Sequence, residues 1–107
     1  MYFPVSSLLT EFLILAVVDR EDSYGYEISQ TVKLVADIKE STLYPILRRL
    51  ETAGCVTVYS VIHNSRLRKF YRITEAGRKQ IADFLENWNE IESMYRFIEE
   101  SANHDKT

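Results

Sequence analysis

Apolar residues recur along the chain with two different periods, and the change of period divides it. Over residues 5–18 the apolar positions are nearly continuous: Leu8, Leu9, Phe12, Leu13, Leu15 and Ala16, with Glu11 as the charge among them. A helix that apolar all round is covered on more than one side. In so short a chain the extra cover implies a second copy. Asp19, Arg20, Glu21 and Asp22 then make a polar turn, and either Asp22 or Ser23 can cap a second helix over 24–35. Its stripe is Tyr24, Ile28, Val32 and Val35. Polar residues over 37–40 mark another turn. A third helix follows to about Ala53, with Leu43, Ile46, Leu47 and Leu50 facing inward. Pro45 lies near the start of that helix, where a missing backbone hydrogen bond is tolerable, and Gly54 supplies the residue that ends it.

Beyond Gly54 the period drops from 3.6 to 2. Val56, Val58, Ser60 and Ile62 alternate with Thr57, Tyr59, Val61 and His63, His63-Asn64-Ser65-Arg66 is the turn, and 67–73 is the return strand. A hairpin directly after a helix-turn-helix is a wing. Thr74 can cap the last helix, with Glu75 in its first turn. That helix carries Ile81, Phe84, Trp88, Ile91, Tyr95 and Ile98 at alternating steps of three and four, the repeat of a coiled-coil seam. Nothing later in the chain can cover this stripe. The seam is too short to hold a dimer alone, so the first helix is expected to contribute. The expected fold is mainly α with a small β-hairpin: a winged helix-turn-helix over 1–74, then a long C-terminal dimerisation helix with a short polar tail over 75–107, frayed from residue 101.

Composition supports one globular domain, since 46% of the 107 residues are apolar and 27% charged. Charge changes the picture more. The net −3 conceals segregation: residues 1–37 carry six acids against Arg20 and Lys33, 38–82 carry nine bases against Glu40, Glu51 and Glu75, and 83–107 carry seven acids against Arg96 and Lys106. A basic middle between acidic ends points to one polyanion-binding surface. Cys55 is the one cysteine, which excludes an internal disulfide or a cysteine-based zinc site and fits a reducing cytosol. The longest apolar run, 12–18, is far shorter than the ~20 residues of a membrane span, and no secretory signal pattern opens the chain. A cytoplasmic location is expected.

The candidate chemistry is recognition rather than catalysis. Ser41, Tyr44 and Arg48 lie opposite the leucine stripe of the third helix, with Thr42 and Arg49 at its margins. Hydroxyls and N–H groups at a helix start suit phosphate oxygens, and Arg48 can reach a guanine edge in the major groove. Taken singly, Tyr44 could equally be core. The wing concentrates Arg66, Arg68, Lys69 and Arg72, followed by Arg78 and Lys79; alternation puts Arg68 and Arg72 on one face and Lys69 on the other. Arg66 and Arg68, nearest the tip, are the expected backbone contacts. His63 and His104 have no carboxylate or cysteine at ligand spacing, so no metal, cofactor or catalytic set is expected. Cys55 reads as a small packing residue. The expected partners are double-stranded DNA with a palindromic operator and a second copy of the chain. At the centre of the seam Trp88 would face its own mate, leaving either a filled joint or a slot for a planar aromatic guest. The competing class is a winged-helix module that binds protein instead.

Three motifs add a resemblance. Tyr24-Gly25-Tyr26-Glu27-Ile28, the run from Ser41-Thr42-Leu43-Tyr44-Pro45 to Leu50-Glu51 with Gly54, and the run from Arg68-Lys69-Phe70-Tyr71-Arg72 to Thr74-Glu75-Ala76-Gly77 together resemble the PadR family of winged-helix regulators, over nearly the whole chain. The short length is similar to the subgroup with a single C-terminal helix. The resemblance implies a homodimeric repressor with its third helix in the major groove and its wing along the backbone. It also implies that Trp88 stacks on flat ligands at the dimer interface, where Phe12 and Leu8 of the first helix are expected to join it in lining the site. Where Ser41 stands the family usually has glycine.

Overall fold

Apolar stripes on three short helices meet one face of a small sheet. In a computed structural model, which describes residues 7–104, the elements are α1 (Ser7–Arg20), β1 (Ser23–Tyr24), α2 (Gly25–Lys33), α3 (Glu40–Thr52), β2 (Val56–His63), β3 (Arg66–Ile73), α4 (Glu75–Glu86) and α5 (Trp88–Asn103). The core gathers Ile14, Leu15 and Val18 from α1, Ile28 and Val32 from α2, and Leu43, Ile46, Leu47 and Leu50 from α3, closed by Cys55, Val56, Tyr71 and Ile73. A proline inside a helix costs about 3 kcal/mol, whereas each buried Leu or Ile contributes roughly 1.5–3 kcal/mol. The four buried side chains of α3 therefore outweigh Pro45.

Gly54 ends α3 as its place in the sequence requires. Its φ is +79°, its N–H donates to the Glu51 carbonyl at 3.0 Å, and the Cys55 N–H donates to the Leu50 carbonyl at 2.9 Å. This is the Schellman pattern. The hairpin holds register without a slip from Val56↔Ile73 to His63↔Arg66. Its turn is only Asn64 and Ser65, with φ of 51° and 63°, the mirror-image turn whose twist suits an antiparallel ribbon.

Four features depart from the sequence reading. First, Ser23 and Tyr24 form a third strand on the free edge of β3, in the order β1-β3-β2 and the register Ser23↔Tyr71. Ser23 caps nothing; its hydroxyl donates to the Glu21 carbonyl. Backbone groups on a sheet edge need partners, and two residues supply them without showing any period. Second, α2 stops at Lys33, and Val35 is 72% exposed while Ile38 enters the core instead. The turn that ends α2 carries Leu34, Val35 and Ala36 on 3.1, 3.0 and 2.9 Å bonds to the Thr31 and Val32 carbonyls, which swings Val35 off the stripe. Third, α1 runs on to Arg20, and the first residues of its expected span lie outside the described ones.

The fourth concerns the C-terminal helix, which breaks at Asn87 (φ −89°, ψ 3°) into α4 and α5. The Asn87 backbone N–H donates to the Asp83 carbonyl at 3.1 Å and its side chain donates to the same oxygen at 2.8 Å, so one residue closes the end of α4 twice. Helix continues through Asn103, into the expected tail; 105–107 lie outside the described residues. The stripe read as one seam is thereby divided. Phe84 stacks on Phe12 of the same chain with centroids 4.2 Å apart, and Ile81 packs against the core. Trp88, Ile91, Tyr95 and Ile98 stay on α5, where no residue is buried.

Candidate nucleic-acid interface

The surface expected to meet DNA is built on α3 and held by two close backbone approaches. At its start, the Tyr44 ring lies over Gly25: a Cβ there would sit 2.9 Å from Cε1 and 3.2 Å from the hydroxyl. Tyr44 thus lies outside the buried core, anchored on Gly25 and 44% exposed. Partial burial, with Glu40 and Tyr71 adding to it, pushes the phenol above its ordinary value, so it stays protonated as a hydrogen-bond donor.

At the far end of α3, one threonine links three elements. The Thr74 hydroxyl donates to the Gly54 carbonyl at 2.6 Å and accepts from the Gly77 N–H at 3.1 Å. Its N–H donates to the Cys55 carbonyl at 3.0 Å. The end of α3 and the start of α4 share this residue, so neither can tilt alone.

Folding sorts the cations of the basic middle. Arg49 pairs with Glu11 at 3.0 Å, Lys69 with Glu51 at 3.3 Å, Arg72 with Asp22 at 3.0 Å, Arg78 with Asp19 at 3.2 Å and Lys79 with Asp83 at 2.9 Å. Such exposed pairs add little stability, but they neutralise those cations. Among the described residues of the middle segment, Lys39, Arg48, Arg66 and Arg68 have no carboxylate within 4.0 Å. Ser41, Thr42, Tyr44 and Arg48 all reach solvent along α3, and no side chain caps its first turn.

The outer face of the sheet carries an aromatic row that sequence reasoning did not assemble. Phe70 lies between Tyr24 (5.4 Å, edge-on) and Tyr59 (5.6 Å, stacked). The Arg68 guanidinium covers the Tyr24 ring at 4.5 Å and that of Arg72 covers Tyr59 at 4.9 Å. Asp22 accepts from the Tyr59 hydroxyl at 2.6 Å and from Arg72 at 3.0 Å. These bonds hold its carboxyl below the ordinary range. Strand alternation signalled that Arg68 and Arg72 share a face; their stacking on rings from β1 and β2 needed the three-stranded register.

The expected interface residues thus fall into two groups. Ser41, Thr42, Tyr44, Arg48, Arg66 and Arg68 stand free of acid partners on α3 and the wing, whereas Arg49 and Lys69 are tied to Glu11 and Glu51. Lys39, missed earlier because it was read as a turn residue, belongs with the first group. Toward the C-terminus, a groove of about 400 Å³ runs between α1 and α4, with Leu9, Phe12, Leu13, Phe84 and Leu85 among its walls. A second, of about 460 Å³, is lined by Trp88, Ile91, Glu92 and Tyr95. Phe84 bridges toward Trp88, with centroids 5.9 Å apart, and Leu8 is 56% exposed on α1.

Comparison with known proteins bears on this surface. The model of the transcriptional regulator PadR-like family matches residues 14–83. A crystal structure of a Streptococcus mutans UA159 protein superposes with a TM-score of 0.81 at 51% identity, covering 94% of each chain. A PadR family transcription regulator from Clostridium difficile R20291 superposes at 0.75 and 28% identity, covering 83% of this chain and 97% of that one. Bacillus subtilis PadR, a negative transcriptional regulator, is 28% identical over 80 residues. Its complex with operator DNA superposes at 0.67 and 26% identity, over 72% of this chain and 46% of that one. This chain spans less than half of that relative. No helix among the described residues is long and apolar enough to cross a membrane.

Proposed function

The chain belongs to the transcriptional regulator PadR-like family, and from that membership we propose that it is a cytoplasmic, homodimeric repressor that binds a palindromic operator and is released by a planar aromatic ligand. Proteins of this family are transcriptional regulators, not enzymes. In this reading residues 1–74 meet the duplex and 75–107 close the dimer. One observation carries it: the cations left without carboxylate partners in the basic middle all stand on α3, its start and the wing. Ser41, Thr42 and Tyr44 meet phosphates, Arg48 reads a base edge, and Arg66 and Arg68 follow the backbone. Arg49 and Lys69 help only where their acid partners release them. Two such surfaces related by a two-fold axis enter successive major grooves, roughly 34 Å apart.

Selecting bound duplexes from a random pool tests this directly, the expected product being a palindrome. Arg48→Ala should then relax sequence preference. Arg66→Ala or Arg68→Ala should weaken binding to every duplex and reduce the salt slope by about one unit. Arg72→Ala, already neutralised by Asp22, should leave the slope unchanged. Equal behaviour of all these variants toward selected and random DNA contradicts the assignment.

The ligand reading rests on the aromatic run Phe12, Phe84, Trp88 and on the two apolar grooves that it joins. In a dimer closed by α5 through Trp88, Ile91, Tyr95 and Ile98, and flanked by Ile81 and Phe84, the indole meets its mate. Phe12 and Leu8 of α1 then complete the walls of the slot. A guest that spreads the two α5 helices also moves α4, and through Thr74 the end of α3. Tenfold release needs a preference of ~1.4 kcal/mol for the spread dimer, within reach of one or two stacked aromatic faces. An acridine or phenazine dye should quench the fluorescence of Trp88 saturably, at about one dye per dimer, and Trp88→Ala should abolish this without loss of DNA binding. Absence of quenching at tens of micromolar makes the indole part of a filled joint.

A further inference from the structure

Ile62 and Leu67 face each other across the hairpin, one rung in from the His63↔Arg66 pair that flanks its turn. They share a face with Val56, Tyr71 and Ile73, which are buried in the core. Lys69, on the same face, reaches Glu51 of α3 at 3.3 Å. That face therefore looks toward α3. At the tip it runs past the body, leaving Ile62 74% and Leu67 72% exposed. The opposite face of the tip carries Arg66 and Arg68, neither paired with an acid.

We propose that Ile62 and Leu67 form an apolar wedge that enters the minor groove next to the α3 site, partly unstacks a base step and bends the duplex. The inference rests on the DNA-binding reading above. Charge decides the occupant: a second copy on this tip would bring Arg66 and Arg68 against their own equivalents, whereas phosphates on both sides of a minor groove neutralise them. Shape agrees. A two-residue turn of left-handed residues keeps the ribbon at its narrowest, with strands ~4.8 Å apart; its root packs Val56 and Ile73 in the core, and Lys69 midway along it reaches Glu51 of α3. The minor groove of B-DNA is about 6 Å wide, so a ribbon bearing two branched side chains enters only by opening it. Apolar side chains inserted at a base step do this, at the cost of kinking the duplex. Flexible pyrimidine–purine steps yield most readily.

The test uses the duplex recovered by the random-pool selection, labelled for end-to-end energy transfer and carrying 2-aminopurine at successive pyrimidine–purine steps. Wild-type protein should shorten the end-to-end distance and raise 2-aminopurine fluorescence at one step per half-site. The double variant Ile62→Thr, Leu67→Thr keeps strand-forming residues at exposed positions, so its melting temperature and salt slope should match the wild type. It should bind about tenfold more weakly, without the bend or the fluorescence rise. Ile62→Val with Leu67→Val keeps the tip apolar and should restore both signals. If the threonine pair melts lower than the wild type, Leu67→Thr alone makes the same comparison. A straight wild-type complex, or a bend that survives the threonine substitutions, overturns the wedge and leaves the DNA-binding reading standing. Failure of the wild type to hold any duplex overturns both.

Discussion

Replacing Gly77 with alanine is expected to lower the melting temperature by about 15 °C, followed by far-ultraviolet circular dichroism. The new Cβ would lie 2.3 Å from the Cys55 carbonyl oxygen and 2.7 Å from Ile73 Cγ1. That oxygen cannot retreat, because it accepts from the Thr74 N–H at 3.0 Å directly after the end of α3. α4 must instead lift off, losing the cap that Thr74 gives the Gly77 N–H. Overpacking costs roughly 1–3 kcal/mol and the lost cap about 1 kcal/mol, while the better helix propensity of alanine returns about 1 kcal/mol. Steric contact with backbone, which has no other rotamer, places the sum near 3 kcal/mol, at the upper end of overpacking losses. Gly54 is the control. It has φ +79° but nothing within 4 Å of an added Cβ, so Gly54→Ala should cost only about 1 kcal/mol. Equal losses at the two positions would mean that close approach to Cys55 is not what selects glycine at 77.

Ile91→Glu should dissociate the proposed dimer at micromolar concentration, with the dissociation constant raised at least a hundredfold, as read by light scattering. In the single chain Ile91 is 37% exposed on a helix that buries nothing, so the substitution costs the monomer little. Across a two-fold axis it brings two carboxylates into an apolar seam with no cation to meet them. Uncompensated buried charge costs about 3–5 kcal/mol. Since palindrome binding needs both half-sites, specific DNA affinity should collapse with the dimer, whereas Ser93→Glu on the exposed polar flank should change neither. A dimer that survives Ile91→Glu shows that α5 does not close it.

Much of this could be read before any coordinates. The stripe of α3, the glycine that ends it, the alternating strands and the capping threonine each follow from local rules of period and dihedral preference, and those rules act within a few residues. The candidate residues Ser41, Thr42, Tyr44 and Arg48 were legible for the same reason: on a helix, the face opposite a buried stripe is exposed. The β1 strand was not legible, because two residues carry no period and their pairing depends on an edge formed some fifty positions later. Val35 was misplaced because continuing the α2 stripe assumed that the helix went on.

The charges show most clearly where local reading stops. The excess of bases over 38–82 was countable, but three of the five acids that pair with them come from outside that segment and its flank: Glu11 and Asp19 on α1, Asp22 beside β1. Only the tertiary structure decided that Arg49, Lys69 and Arg72 are paired while Lys39, Arg48, Arg66 and Arg68 are not. It likewise divided the six-residue apolar stripe, turning Phe84 onto Phe12 and leaving Trp88 onward uncovered. By itself the sequence determined the main helices, the two strands of the wing and the Thr74 cap, because those preferences are set by a residue and its near neighbours. The three-dimensional packing determined which charges and apolar faces remain free for another molecule, because Coulomb attraction and burial act between groups that only the fold brings together.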